Sequence, residues 1–315
     1  MFQPDNEGIE TSPPGVIDTL IGGFRIIHRV PEVIAVPIVY GIAQVFGPQP
    51  RLGPKLTATV LGILDELDAS AVEAGREPAY AGNRETIRGA LMGEGLGSPG
   101  WRVVLDEPFQ VAAFLLVLGA VGVLVTSFWR CLIGDLIRPE GRLDPLSDAT
   151  LRLSVRNVQL YLVYALGWVL LTIATFVVML LAVVLSVIPL VGPLIAFVAG
   201  LAIVTLTGAA AFGALIYLYF AIDAMALLRV GVREGILTSV RVVRAYFWPC
   251  IGFIVLSVAI SVLLGVTASA FGTSAPASVL SAVLNGYVQS AVITAGMIFL
   301  RDRQIRLIPL EEATA

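Results

Sequence analysis

The sequence predicts an all-α integral membrane protein of about six transmembrane helices, arranged as three hairpins that each follow an amphipathic interfacial helix. Of the 315 residues, 57% are hydrophobic and only 14% are charged, whereas a soluble domain has about 25% charged residues. Residues 157–222 contain no charged side chain, and this stretch is long enough for two spans of roughly 20 residues each. In addition, three arginine-bearing stretches each precede a long apolar segment.

The six spans are expected where apolar residues continue without charge, at about 30–48, 110–134, 158–187, 193–221, 248–268 and 278–300. The first of these is the least regular, because it contains Pro31, Glu32 and Pro37. The link IPLVGP at 188–193 and the small, polar link FGTSAPAS at 271–278 predict tight reversals. The third and fourth spans, and likewise the fifth and sixth, should therefore form hairpins.

The distribution of arginines predicts the orientation. Fourteen of the 20 basic residues lie near the span ends on one side, and the other six lie in the long loop 49–109. Because short cytoplasmic loops are enriched in Lys and Arg, we expect both termini in the cytoplasm. Residues 1–14 should be a disordered tail, residues 15–300 a single helical membrane domain, and residues 301–315 a cytoplasmic tail.

The loop 49–109 is expected on the extracytoplasmic side as a helical cap. Its apolar residues Leu56, Val60, Ile63, Leu64 and Leu67 are three or four positions apart, which predicts an amphipathic helix over about 54–74. A less regular segment follows and ends in the glycine-rich run GEGLGSPGW at 93–101. We expect a flexible turn there, because no dinucleotide-binding pattern surrounds the glycines.

The three arginine stretches align with one another, which predicts an internal repeat of interfacial helix plus hairpin. Arg25 aligns with Arg156 and Arg241, and each stretch stands just before a membrane hairpin. The same alignment pairs His28 with Gln159 and Arg244, Val30 with Tyr161 and Tyr246, and Asp18 with Glu234. Chance similarity of Leu-, Val- and Arg-rich segments is the alternative.

The third stretch shows most clearly what such a helix would do. On a helix its apolar side chains fall on one face and its arginines on a neighbouring face, which is typical of helices that lie in the membrane interface. Each arginine near an anionic leaflet contributes on the order of 1 kcal/mol. The partners expected here are anionic lipid headgroups at the cytoplasmic face, with membrane proteins as further partners and no nucleic acid. The candidate lipid-contacting residues are Arg25, Arg156, Arg241 and Arg244.

The segment 216–260 contains the motif EGILTSVRVVR followed by the aromatic residues of YFWP. It resembles a broad bacterial family of polytopic proteins, similar to the membrane domain attached to some glycerophosphodiester phosphodiesterases and to related stand-alone inner-membrane proteins. The first arginine stretch, DTLIGGFRIIHRVPEVIAVP, has the same pattern. The resemblance implies a six-span helical module of poorly defined function in the inner (plasma) membrane of a bacterial cell, and it carries over no catalytic residue.

The sequence provides no set of residues for catalysis, cofactor binding or metal binding. His28 is the single histidine, and Cys131 and Cys250 have no CxxC partner, so neither a zinc site nor a disulfide framework is predicted. Serines and threonines stand without a nucleophile elbow or a general base. We therefore expect a protein that is not an enzyme and has no cofactor.

Polar residues inside predicted spans are the remaining functional signal, because they are costly in a membrane. Asp223 could pair with an arginine such as Arg241, or it could serve a proton or cation relay. Asn285 and Gln289 are four positions apart on the sixth span. Interhelical hydrogen bonds are the ordinary interpretation of such residues, and a polar pathway is the alternative.

Three functions are compatible with these patterns. The first is a non-enzymatic membrane protein that interacts with lipids or partner proteins and contributes to membrane or envelope organisation. The second is a transporter or permease subunit with a polar pathway near Asp223, Asn285 and Gln289, which internal repeats favour weakly. The third, an intramembrane lipid-modifying enzyme, has the least support because no acid–base cluster is present.

Overall fold

A computed structural model describes residues 13–73, 77, 78, 80, 83–92, 102–138, 146–185, 192–271 and 274–307. The helices are α1 Val16–Arg29, α2 Ala35–Phe46, α3 Pro54–Glu73, α4 Arg84–Met92, α5 Pro108–Ile137, α6 Leu146–Leu185, α7 Gly192–Leu218, α8 Ala221–Leu228, α9 Val232–Ala245, α10 Phe247–Ala270 and α11 Ala275–Gln304. Two short strands, β1 Gln49–Leu52 and β2 Arg102–Leu105, complete the main elements. The predicted tail 1–14 and the links at 188–193 and 271–278 lie largely or partly outside the described residues.

Among the described residues, five helical segments are long and apolar enough to cross a membrane, which confirms the predicted class of several apolar helices. They are Pro108–Ile137, Asp148–Val178, Gly200–Leu228, Phe247–Ala268 and Ala275–Leu307. Long helices suit an apolar solvent because they satisfy every backbone hydrogen bond within one segment. The ends of α5 and α10 lie within about three residues of the expected spans 110–134 and 248–268, as helix ends usually do.

The expected first span, 30–48, is not one straight helix. After α1 ends, a 3₁₀ turn at Pro31–Ile34 leads into α2, and α1 and the segment Pro31–Phe46 meet at 96°. The break has a local cause: a residue before proline avoids the helical conformation, and Val30 has φ −130° and ψ 68°. The 12 residues of α2 extend only about 18 Å, less than the ~30 Å of a bilayer core. The count is six spans only if the bent pair is one span.

Two further expectations differ from the structure. The second arginine stretch, 154–163, lies within the uninterrupted helix α6 and forms no separate helix before a span. Its sequence contains no proline or glycine between Leu146 and Gly167 that would end the helix. The C-terminal tail also begins later than expected, because α11 continues to Gln304 and is followed by a 3₁₀ turn at Ile305–Leu307.

Helices α1 and α9 correspond closely in the alignment that pairs Arg25 with Arg241. Each has 14 residues and begins after a glycine, Gly15 or Gly231, with extended ψ of 162° or 171°. At the C-terminal ends, the backbone N–H of Val30 donates to the carbonyl oxygen of Ile26, and that of Tyr246 donates to the carbonyl oxygen of Val242. Helix start, helix end and final hydrogen bond thus coincide in this alignment.

The chain divides into two compact units, each built from separate segments. The first consists of residues 1–33, 126–261 and 288–315, and the second of residues 34–125 and 262–287. An aromatic cluster of Phe220, Phe253 and Phe299 is completely buried in the first unit. The ring centroids of Phe299 lie 5.3 Å from those of Phe220 and 5.0 Å from those of Phe253, within the range of favourable ring packing.

Close packing of α1 on α11 in the first unit depends on glycine. A Cβ atom at Gly23 would collide with the carbonyl oxygen of Ala291 and would lie 2.8 Å from the backbone nitrogen of Ala295. Small residues let helix backbones approach one another, which is how apolar helices gain van der Waals contact when water does not drive them together.

The second unit contains the expected extramembrane loop. Helix α3 over Pro54–Glu73 confirms the helix predicted over 54–74, but β1 and β2 form a parallel pair that the sequence analysis did not predict. Four-residue strands, one containing Pro50, have too little alternation to be recognised. Lys55 forms an ion pair with Glu107, and this contact raises the pKa of Lys55 above its ordinary value. The glycine run at 93–101 lies outside the described residues.

Candidate functional site

Asp223, on α8, is buried in the first unit and forms an ion pair with Arg130 of α5. The expected partner was Arg241, which instead lies exposed on α9. The other carboxylate oxygen faces α11, where a Cβ at Gly296 would lie 3.2 Å from it. Because an isolated buried carboxylate is expensive, the arginine on a neighbouring helix explains how Asp223 is accommodated. The sequence prediction could not identify this partner, which is far away in the chain.

A second charged cluster surrounds Asp135 near the end of α5. Its Oδ1 accepts a hydrogen bond from Arg138 at 3.0 Å and from Arg229 at 3.1 Å. Burial lowers the pKa of Arg138 from its ordinary value, and the neighbouring Arg229 lowers it further. The single carboxylate thus faces two guanidinium groups, so the cluster carries a net positive charge.

Arginines also cap the C-terminal end of α8. Arg138 donates to the carbonyl oxygens of Ala226 and Leu227, and Arg156 of α6 donates to those of Arg229 and Val230 at 2.9 and 2.8 Å. Cations are favourable there because the last carbonyls of a helix carry partial negative charge. Arg229 ends α8 in the left-handed conformation, with φ 56°, a position that glycine usually occupies.

A cavity of about 150 Å³ lies beside this capped end, and we call it the arginine pocket. It is lined by Cys131, Ala149, Arg152, Leu153, Arg156, Met225, Ala226 and Arg229. Three helices contribute, because α5 provides the cysteine, α6 provides two of the arginines and α8 ends at the third. Three guanidinium groups around one small cavity form an environment suited to an anion.

The predicted lipid-contacting residues fall into two groups. Arg25, Arg241 and Arg244 are exposed on α1 and α9. Arg156 is only partly exposed, because it caps α8 and lines the arginine pocket. The contact of Arg156 with lipid stays a prediction, and its partners in the structure are the backbone carbonyls of Arg229 and Val230.

The faces of α9 also differ from the expectation that its apolar side would enter the lipid. Gly235, Ser239, Val242 and Val243 form its buried face. The hydroxyl of Ser239 donates to the carbonyl oxygen of Tyr217 at 2.7 Å. The apolar side chains expected on the lipid side are Ile236, Val240, Val243 and Phe247, and of these the protein buries Val243 and leaves Phe247 exposed.

Among the remaining polar candidates, Gln289 and Asn285 have different environments. The side-chain amide of Gln289 donates to the hydroxyl of Ser261 on α10 at 3.1 Å, so this residue forms a hydrogen bond between two helices. Asn285 belongs to the second unit and is exposed.

Sequence reasoning missed the burial of Arg303, which had been assigned to the cytoplasmic tail. Only 2% of this residue is exposed, and its guanidinium carbon lies 3.4 Å from the centroid of the Phe299 ring, in cation–π geometry. Its Nη2 donates to the carbonyl oxygen of Pro14 at 3.1 Å. The spacing of four residues between Phe299 and Arg303 was an available signal, since such pairs meet on one helix face.

Within the part of the chain that the structure describes, no group of three or more His, Cys, Asp or Glu residues could hold a metal ion. Cys131 and Cys250 are both buried and free. Comparison of the chain with models of protein families, with curated proteins and with solved structures finds no match. The resemblance to the membrane domain of glycerophosphodiester phosphodiesterases therefore stays a prediction.

Proposed function

We propose that the chain is a non-enzymatic, multi-pass protein of the bacterial inner membrane that binds anionic lipid headgroups at the cytoplasmic face. It would organise the surrounding lipid or hold partner membrane proteins in the envelope. Both termini lie in the cytoplasm in this proposal, so that α1, α9 and the C-terminal end of α11 meet the same leaflet. The loop 49–109 then faces the extracytoplasmic side.

The observation that carries this proposal is the two-sided character of α1 and α9. Each has one buried face, which includes Gly23 and Ile27 in α1 and Ser239 and Val243 in α9. Their arginines Arg25 and Arg29, and Arg233, Arg241 and Arg244, are exposed. A helix docked on the protein by one face holds its arginines at a defined height, where their charges attract anionic headgroups at about 1 kcal/mol each.

The correspondence of α1 and α9 also supports the proposed internal repeat. Their equal lengths, equivalent glycine starts and equivalent last hydrogen bonds are more than shared composition requires. In this proposal a duplicated surface helix presents arginines twice to one leaflet, and the second arginine stretch, within α6, is a divergent copy. The resemblance to bacterial polytopic membrane proteins points the same way.

The experiment is binding of full-length protein in bilayer nanodiscs of defined composition. Thermal unfolding is measured with 0% and then about 30% phosphatidylglycerol in phosphatidylcholine. We expect the anionic lipid to raise the unfolding temperature, and Arg241→Gln with Arg244→Gln to remove much of that increase. Arg84→Gln, on α4 in the loop 49–109, is the matched control. It should leave the increase in unfolding temperature caused by phosphatidylglycerol unchanged. Equal stability in both lipids would contradict the proposal.

A transporter or permease subunit is the second candidate, and the environment of Asp223 favours it. The ion pair with Arg130 is buried, and two polar atoms close to it in the chain, Trp129 Nε1 and Arg130 Nε, have no hydrogen-bond partner among the described residues. Buried charges in membrane helices are often functional. Proton flux into proteoliposomes, abolished by Asp223→Asn but unaffected by Asn285→Ala, would establish this function in place of the first.

A further inference from the structure

One face of α6 connects the arginine pocket with an apolar groove. Arg152, Arg156, Val163, Gly167 and Leu170 are spaced by four, seven, four and three residues, so all five lie along a single stripe of the helix. The two arginines line the pocket. The other three line a groove between α6 and α7.

The pocket has the size and charge for a phosphate group. Its volume of about 150 Å³ corresponds to roughly five water molecules in the liquid. Arg152, Arg156 and Arg229 surround it, and Asp135, which accepts a hydrogen bond from Arg229, is the nearby counter-charge. Guanidinium groups bind phosphate oxygens through paired N–H donors, so an excess of arginine over carboxylate favours a phosphate monoanion.

The groove has the character of an acyl-chain site. It has a volume of about 510 Å³, is lined mainly by Val, Leu, Ala and Gly residues together with Tyr164 and Trp168, and is open to the outside of the protein. The lining residues of α6 run from Val163 to Leu171, which places the groove roughly 10 to 22 Å along the helix from Arg156. A lipid whose phosphate lies beside Arg156 would extend its chain over this distance.

We infer that one anionic phospholipid binds along α6, with its phosphate in the arginine pocket and an acyl chain in the groove between α6 and α7. This inference rests on the proposed function, because it places a single tightly held lipid within a protein that meets an anionic leaflet. Charge complementarity selects a phospholipid as the occupant. The arginines of the pocket attract the phosphate, and the apolar groove on the same face of α6 buries the acyl chain of the same lipid.

The test is native mass spectrometry of the full-length protein in detergent, titrated with phosphatidylglycerol, with diacylglycerol and with inorganic phosphate. We expect one phosphatidylglycerol per chain and weaker retention of the other two probes. Arg152→Gln should weaken binding roughly fivefold, and Gly167→Trp should weaken it about tenfold by filling the groove, the equivalent of two buried methylenes. Arg152 is exposed and a Cβ at Gly167 meets nothing within 4 Å, so both variants should fold.

The matched controls are Arg88→Gln, an exposed arginine on α4, and Gly200→Trp, an exposed glycine of α7 outside the groove. Neither should change retention of phosphatidylglycerol. If inorganic phosphate displaces the lipid and Gly167→Trp has no effect, the pocket is a site for a free anion and the inference is overturned. If diacylglycerol binds as well as phosphatidylglycerol and Arg152→Gln has no effect, the groove binds apolar chains without using the arginines, which overturns it equally.

The two proposals fail in different ways. If wild-type protein retains no phosphatidylglycerol in the mass spectrum, but its unfolding temperature in nanodiscs still depends on phosphatidylglycerol and on Arg241, only the proposed α6 site is contradicted. Retention of one lipid with no dependence of stability on Arg241 and Arg244 would instead contradict the surface function of α9.

Discussion

The part of α11 that belongs to the first unit and the pair α6–α7 are both apolar helices, yet their environments are opposite. Ala291, Ala295, Phe299 and Leu300 of α11 are completely buried. In α6, by contrast, Leu162, Leu166 and Phe176 are 63%, 60% and 65% exposed. Of the five membrane-length segments, the one containing α11 is the least apolar and the most buried.

This difference shows that hydrophobicity alone does not decide which helix lies inside. In water the most apolar segment would be covered by protein, but lipid is as apolar as leucine and removes that driving force. The helix that is buried by protein is instead the one whose small residues and aromatic rings pack closely against its neighbours. The α6–α7 pair keeps its large aliphatic side chains outward, where a membrane would cover them.

The largest effect is expected from the ion pair of the packed region. Arg130→Gln should leave the Asp223 carboxylate buried and unpaired, and we expect the free energy of unfolding to fall by about 3–5 kcal/mol. Unfolding of detergent-solubilised protein with sodium dodecyl sulfate, followed by circular dichroism, measures this change. Adding Asp223→Asn to Arg130→Gln should recover part of the loss. A double variant less stable than the single one would show that the pair is not the reason.

A smaller effect is expected when an aromatic ring is removed from each region. Phe299→Ala deletes a ring stacked in the buried cluster, and we expect a loss of about 3 kcal/mol, the low end for such a change because the unfolded helices also lie in an apolar medium. Phe176→Ala on α6 should stay within about 0.5 kcal/mol. The same unfolding assay compares them. Similar losses for both rings would show that α6 is packed against protein.

The smallest effect comes from adding one methyl group to a glycine in each region. Gly23→Ala forces α1 away from the backbone of α11, and overpacking of this kind costs about 1–3 kcal/mol. Gly167→Ala meets nothing within 4 Å and should stabilise α6 by about 0.5–1 kcal/mol, since alanine favours a helix over glycine. Thermal unfolding in one detergent measures both shifts. If both variants shifted the unfolding temperature in the same direction, the two regions would not differ in how tightly they are packed.

Local signals were read correctly from the sequence where they depended on neighbouring residues alone. The apolar segments of α5 and α10 and the helix α3 follow from composition and residue spacing. The second arginine stretch was misread because its arginines resemble those of α1 and α9, although nothing in the chain interrupts α6 there. The β1–β2 pair joins segments with α3 and α4 between them in the chain, so no local sequence pattern predicts the pairing.

Composition and residue spacing were enough to predict several long apolar helices with arginines near their ends, because hydrophobicity and backbone hydrogen bonding act residue by residue. The pairing of Asp223 with Arg130, the burial of Arg303 on Phe299 and the pocket lined by three arginines became visible in the folded chain. These contacts join residues on different helices or depend on which face of a helix is covered. In an apolar medium, the fit of side chains and the pairing of charges determine which helices pack together. Both depend on residues that are distant in the sequence.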